Sequence, residues 1–172
     1  MKKIGILIFI LTIFSLSAFA QKTRKSHGYV EIGGGFSVAD NKGGYAKADL
    51  MYGYTFNPTS SIRLGVGARY APVNADKGKP WAAPGNNWGL LLPFIGNYRA
   101  NLGYQKFEKI YPYIQSGLGI ALPGIVFNQS IGIGLKNAPF SIGLGGEVIA
   151  LFHEVETSGF ATFLGLNIGI SF

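Results

Sequence analysis

Apolar residues alternate with small or polar residues through most of the chain, and the last segment shows this pattern best. Every second residue there is apolar or nearly so: Phe160, Thr162, Leu164, Leu166, Ile168, Ile170 and Phe172. The residues between them are mostly small or polar. Because successive side chains of a β-strand point to opposite faces, this period of two predicts a strand with one apolar face.

Eight segments repeat the alternation, and strong turn signals separate several of them. The segments span residues 29–38, 46–56, 62–70, 88–101, 113–122, 127–135, 140–150 and 160–172. The turn signals lie at 40–44, 57–60, 123–124 and 136–139. Strands of ~9–11 residues with one apolar face are those that cross a membrane in a barrel. The predicted fold class is all-β: an eight-stranded antiparallel transmembrane β-barrel, an up-and-down meander with both chain ends on the periplasmic side.

Pro93 interrupts the fourth segment. Proline has no N–H to donate to a ladder, so a bulge or a local break is expected at this point. The connections near residues 57, 106 and 137 are predicted to be periplasmic. Those near 41, 76, 123 and 154 are predicted to face outside, and only the one from 72 to about 87 is long.

The strand phases that turn apolar residues outward also turn the charged residues inward. A lipid-facing Lys or Arg near the midplane of a barrel costs ~2–4 kcal/mol, and this phasing needs none. Opposite charges inside are expected to pair, because buried unpaired charges are costly. The predicted polar network of the lumen comprises Glu31, Lys47, Asp49, Arg63, Arg69, Arg99, Gln115 and Glu147. A salt-bridged plug is the favoured interpretation of this network, and a narrow polar conduit is the alternative.

Composition agrees with a single membrane-embedded domain. The chain has 172 residues, of which 48% are hydrophobic and only 13% charged, against about 25% charged in a soluble domain. It has no cysteine, which excludes a disulfide scaffold and a zinc–thiolate site. The net charge is +7, but the basic residues are not gathered on one face with aromatic platforms. A nucleic-acid partner is therefore not expected, and neither a cofactor nor a metal is indicated.

The first twenty residues have the three parts of a secretory signal. Met1-Lys2-Lys3 is a basic start, an apolar run covers 4–16, and Ala18-Phe19-Ala20 is an A-x-A cleavage site. The apolar run is short for a membrane-spanning helix, which needs ~20 residues. The predicted organisation is a cleaved signal peptide at 1–20, a short basic periplasmic tail at 21–27 and the barrel domain at 28–172.

The chain ends in alternating apolar residues and a final aromatic, Leu164-Gly165-Leu166-Asn167-Ile168-Gly169-Ile170-Ser171-Phe172. Together with the N-terminal signal, this end resembles the small bacterial outer-membrane β-barrel proteins (porin-like, OmpX/OmpW-type). The resemblance covers the whole processed chain and is one of architecture, with no catalytic or ligand motif. It implies a location in the outer membrane and identifies Phe172 as an assembly signal, read by the barrel-assembly machinery.

The predicted outer loops carry the remaining candidate chemistry. Lys77, Lys79 and Trp81 lie in the long loop, where the lysines could contact lipopolysaccharide phosphates. His153 begins another loop, but the serine expected two residues later in barrel lipases is Val155 here. The favoured function is a non-enzymatic structural or surface-contact role among outer-membrane lipids and lipopolysaccharide. A narrow channel, a membrane-embedded lipid hydrolase and a soluble carrier are the alternatives, and the oligomeric state is open.

Overall fold

The computed structural model describes residues 26–38, 43–72, 88–122, 124–151 and 160–172. Nine β-strands run through them in chain order. Their bounds are β1 Ser26–Ser37, β2 Gly44–Asn57, β3 Ser60–Pro72, β4 Trp88–Leu91, β5 Phe94–Asn101, β6 Ile110–Ala121, β7 Gly124–Leu135, β8 Phe140–Leu151 and β9 Phe160–Ser171. The described residues contain no helix that is long and apolar enough to cross a membrane.

Strands β4 and β5 are two halves of one barrel strand, interrupted at Pro93. Both halves pair with β3 in the same register. Arg69 lies opposite Leu91. A step of three residues back along β3 and three residues forward along the chain leads to the pair Val66 and Phe94. The carbonyl of Pro93 still accepts a hydrogen bond of 2.8 Å from the backbone of Gly67. The expected irregularity is therefore a local break without a change of register.

The sheet closes on itself as an antiparallel meander. Each barrel strand pairs with its neighbours in sequence, and β1 also pairs with β9. Following partners once around the barrel gives the path Ser26, Tyr54, Ile62, Tyr98, Ser116, Gln129, Gly146, Leu164 and Phe36. The path returns to β1 ten residues beyond its start, and such a shear requires the strands to tilt against the barrel axis. The predicted closed eight-stranded barrel is confirmed.

The two ends of the barrel differ in their connections. At one end, here called the turn end, lie the connections 58–59, 102–109 and 136–139 together with Ser26 and Phe172. The side chain of Asn57 closes the first of them by accepting hydrogen bonds from Thr59. The opposite end is called the loop end. Strand β1 begins at Ser26, two residues before the predicted start of the barrel domain, because Ser26 already pairs with Tyr54.

The outer surface of the barrel is apolar. Leucines at mid-height remain more than half exposed: Leu50, Leu64, Leu118, Leu144 and Leu166. Soluble monomers rarely expose a continuous apolar surface larger than a few hundred Å². A closed barrel leaves no strand edge unpaired, which is the condition for placing strands in hydrocarbon. The polarity is therefore that of a barrel surrounded by lipid.

Replacing Leu50 with arginine should destabilise the barrel by about 2–4 kcal/mol, because it places a charge against acyl chains near the midplane. Leu102→Arg is the matched control, since Leu102 is exposed in the connection 102–109 at the turn end. Denaturant unfolding of the refolded chain in lipid vesicles measures both free energies of unfolding. Equal losses in the two variants would contradict a lipid-facing position for Leu50.

Candidate functional site in the barrel lumen

Glycines on the inner face make room for large side chains from neighbouring strands. Gly33 on β1 lies opposite Lys47, and a Cβ at this glycine would come within 2.8 Å of the Lys47 side chain. A Cβ at Gly169 would collide with the hydroxyl of Tyr29. The glycines therefore permit long polar side chains to fold across the lumen and fill it, as an eight-stranded barrel requires.

Glu31 is a centre of hydrogen bonding in the lumen. Its carboxylate pairs with the ammonium of Lys47 at 2.6 Å. It also accepts hydrogen bonds of 3.0 Å from the hydroxyl of Tyr29 and from the side-chain amide of Gln115. Strands β1, β2 and β6 supply these four residues. A buried carboxylate with several donors is one whose desolvation is compensated.

Arg69 joins two opposite walls of the barrel. Both terminal nitrogens of its guanidinium donate to Asp49 on β2, at 2.5 and 3.1 Å, and its Nε donates to Glu147 on β8 at 2.7 Å. The three side chains are almost fully buried. Around the barrel, β8 lies four strands away from β3, so this contact spans the lumen. The ion pairs of Glu31, Lys47, Asp49, Arg69 and Glu147 are here called the central ion layer.

An apolar cluster, here called the loop-end cap, lies inside the barrel between the central ion layer and the loop end. The rings of Tyr45 and Phe163 pack in it with centroids 4.6 Å apart. Its members are all buried: Tyr45, Ala71, Leu91, Val126, Ile149, Ala161 and Phe163. This cap was not predicted from the sequence, although the apolar residues at inward positions near the loop end could have revealed it.

Arg63 and Arg99 occupy the part of the lumen nearest the turn end. The guanidinium of Arg63 lies 3.8 Å from the ring centre of Tyr29, and that of Arg99 lies 3.6 Å from the ring centre of Tyr113. Arg63 also donates to Gln115 at 3.1 Å. These residues, Arg63, Arg99, Tyr29 and Tyr113, are here called the turn-end cluster.

The positive and negative charges of the lumen are divided unevenly between the central ion layer and the turn-end cluster. In the described residues the buried charged side chains are three carboxylates and four cations. All three carboxylates belong to the central ion layer, and within the described ranges no carboxylate lies within 4 Å of Arg63 or Arg99. A desolvated cation–π contact contributes about 2 kcal/mol, whereas burying an ion costs several kcal/mol. The cation–π contacts of the turn-end cluster therefore offset only part of the cost of burying its two arginines.

All eight residues of the predicted lumen network lie inside the barrel and are buried. The contacts above join seven of them in two groups, one of Glu31, Lys47, Gln115 and Arg63 and one of Arg69, Asp49 and Glu147. The eighth, Arg99, bonds instead to Ser141 at 3.2 Å and to Asn101 at 3.1 Å. In the part of the chain that the structure describes, no group of three His, Cys, Asp or Glu residues could hold a metal ion.

Of the other predicted site residues, the structure describes only Phe172. Phe172 lies at the turn end, where its backbone exchanges hydrogen bonds of 2.8 and 2.9 Å with Gly28 on β1. The predicted loop residues Lys77, Lys79 and Trp81 lie outside the described residues, as does His153. The same holds for the predicted signal peptide.

Comparison with known proteins gives matches only among solved structures. No family model matches the chain, and no curated protein matches it significantly. The N-terminal β-barrel domain of Pseudomonas aeruginosa OprF is 14% identical over 87% of this chain and 98% of its own, with a TM-score of 0.45. A chain from the de novo design of transmembrane β-barrels is 12% identical over 88% of this chain and 100% of its own, with a TM-score of 0.42.

Both TM-scores are below 0.5, so the class of protein follows from this chain's own geometry. The ladder is closed, its outer face is apolar, and its charged side chains are inside. These features together define a small β-barrel of the outer-membrane type.

Arg69→Met should destabilise the protein by about 3–5 kcal/mol, because it leaves the carboxylates of Asp49 and Glu147 buried without their cation. Arg63→Met is the matched control on the same strand and face. Its effect should be clearly smaller, since Arg63 has no carboxylate within 4 Å in the described residues. Denaturant unfolding in phosphate-free buffer gives both values. A loss for Arg63→Met as large as that for Arg69→Met would contradict the proposed difference between the two arginines.

Proposed function

We propose that this protein is a bacterial outer-membrane β-barrel with a closed lumen, and that its role in the cell envelope is structural or one of surface contact rather than catalysis. The observation that carries the proposal is the contact of Arg69 with Asp49 and Glu147, which bridges the lumen beneath the loop-end cap. The expected signal at 1–20 and the expected assembly signal at Phe172 support the location.

The closed lumen follows from two barriers in series. The central ion layer ties β1, β2, β3 and β8 together with short charged hydrogen bonds. The loop-end cap then presents an apolar barrier to water and ions. A solute would have to separate the ion pairs and displace the packed rings of Tyr45 and Phe163, and the first step exposes buried charges that lose their partners. This is why a closed barrel is favoured over the narrow channel.

The refolded protein should give no stable conductance steps in planar lipid bilayers. Replacing both Tyr45 and Phe163 by alanine should produce measurable conductance, because it removes the largest side chains of the loop-end cap. The matched control replaces two aromatic residues that face outward, Tyr52 and Phe94, by alanine and should remain silent. Steady single-channel steps from the unmodified protein would reject the closed lumen and favour the channel.

The surface contact in this proposal is made by the long loop predicted to face outside. Replacing Lys77 and Lys79 together by alanine should weaken binding of the reconstituted protein to lipopolysaccharide, because each lysine can meet a phosphate as a charge-assisted partner. Lys106 and Lys109, in the connection at the turn end, supply the matched control pair. Co-sedimentation with lipopolysaccharide vesicles measures the difference. Equal binding by the two double variants would argue against a role for this loop.

A further inference from the structure

The turn-end cluster holds two cations side by side. In the pairing of β3 with β5, Arg63 lies opposite Asn97 and Arg99 lies opposite Ser61. The two arginines are therefore diagonal neighbours on the inner face, at a separation that long side chains bridge easily. The guanidinium carbon of Arg63 lies over the ring of Tyr29, and that of Arg99 lies over the ring of Tyr113. These ring contacts leave N–H groups of both guanidiniums available to other partners, since each arginine also donates hydrogen bonds elsewhere.

Two of the hydrogen-bond donors of these arginines have no acceptor. The Nε of Arg63 and one terminal nitrogen of Arg99, Nη2, are buried and have no hydrogen-bond partner. Both residues are more than nine-tenths buried, at 5% and 2% exposure. Unpaired donors on a buried cation are unusual, because buried polar groups are nearly always satisfied. An acceptor carrying negative charge is the partner that would meet both the hydrogen-bonding and the charge requirement.

The approach to the cluster is from the turn end. His27 and Tyr111, each the second residue of a strand that begins at the turn end, are only partly buried. The connections there carry Lys106, Lys109 and Lys136 against a single acid, Glu108, among the described residues. A rim with this charge raises the local concentration of anions at the entrance.

We propose that Arg63 and Arg99 form a binding site for one oxyanion, a phosphate or carboxylate group, that enters the lumen from the turn end. Guanidinium groups present planar pairs of donors that match these anions and bind them with charge-assisted hydrogen bonds. Tyr29 and Tyr113 position the two guanidinium planes. The site does not depend on a closed lumen, because the central ion layer and the loop-end cap lie on its far side.

The unmodified protein supplies the first test. The full chain, labelled on arginine nitrogens and refolded in detergent micelles, is titrated with inorganic phosphate while the arginine side-chain resonances are recorded. The signals of Arg63 and Arg99 should shift and saturate. The signal of Arg69 should not move, because its Nε and terminal nitrogens already bind Glu147 and Asp49. Sodium chloride at the same ionic strength should have little effect, and acetate should act at the same residues as phosphate.

Variants provide the second test. Arg63→Gln and Arg99→Gln should each weaken the phosphate affinity by about tenfold or more, as expected for the loss of charge-assisted hydrogen bonds. Lys106→Gln, which alters the rim alone, should change it much less. The site is rejected if phosphate shifts none of the Arg63 and Arg99 signals, or if chloride at matched ionic strength shifts them equally. Unchanged affinity in both arginine variants would reject it as well. None of these results bears on whether the barrel conducts.

Discussion

The guanidinium of Arg69 between two carboxylates is the interaction on which the interior depends. A barrel in lipid has no water outside to hold its charged side chains, so they must lie inside and satisfy one another. Asp49 and Glu147 come from β2 and β8, which are distant in sequence but joined here by one planar cation with several donors. Lysine could not make this contact in the same way, because it presents a single charged point rather than a fork. The inner glycines and the register around the barrel give this side chain its space and its partners.

Much of the fold could be predicted from the sequence, because a strand with one lipid-facing side repeats every two residues. The outward positions, the number of barrel strands and the break at Pro93 all follow from that period and from the chemistry of proline. The start of β1 could not be placed to the residue. His27 precedes the clear alternation, yet its neighbour Ser26 already pairs with Tyr54. Strand ends depend on pairing partners, which a linear pattern does not contain.

The contents of the lumen were predictable, but their partners were not. Inward parity identified Glu31, Lys47 and Arg69 as lumen residues, since each shares a strand face with small or polar residues. Which carboxylate each cation binds is determined by the shear of the barrel and by which long side chain lies opposite a glycine such as Gly33. Both depend on the pairing of strands, which a single strand does not show. The alternation along β3 places Arg63 and Arg69 on the same inner face, so it could not show that only Arg69 binds carboxylates. Their different surroundings emerge only from the contacts across the barrel.

The pairing of β1 with β9 has a consequence for how the chain reaches its native state. Tyr29 pairs with Ser171. Strand β1 can therefore complete its pairing only when the C-terminal strand β9 is present. Contacts between residues so distant in sequence make folding intrinsically slow. Until β1 and β9 pair, both edge strands of the partly formed sheet have unpaired backbone N–H and C=O groups, which favour association with other chains. Shielding these strand edges until β9 pairs with β1 would therefore raise the yield of folded protein, because it prevents association with other chains.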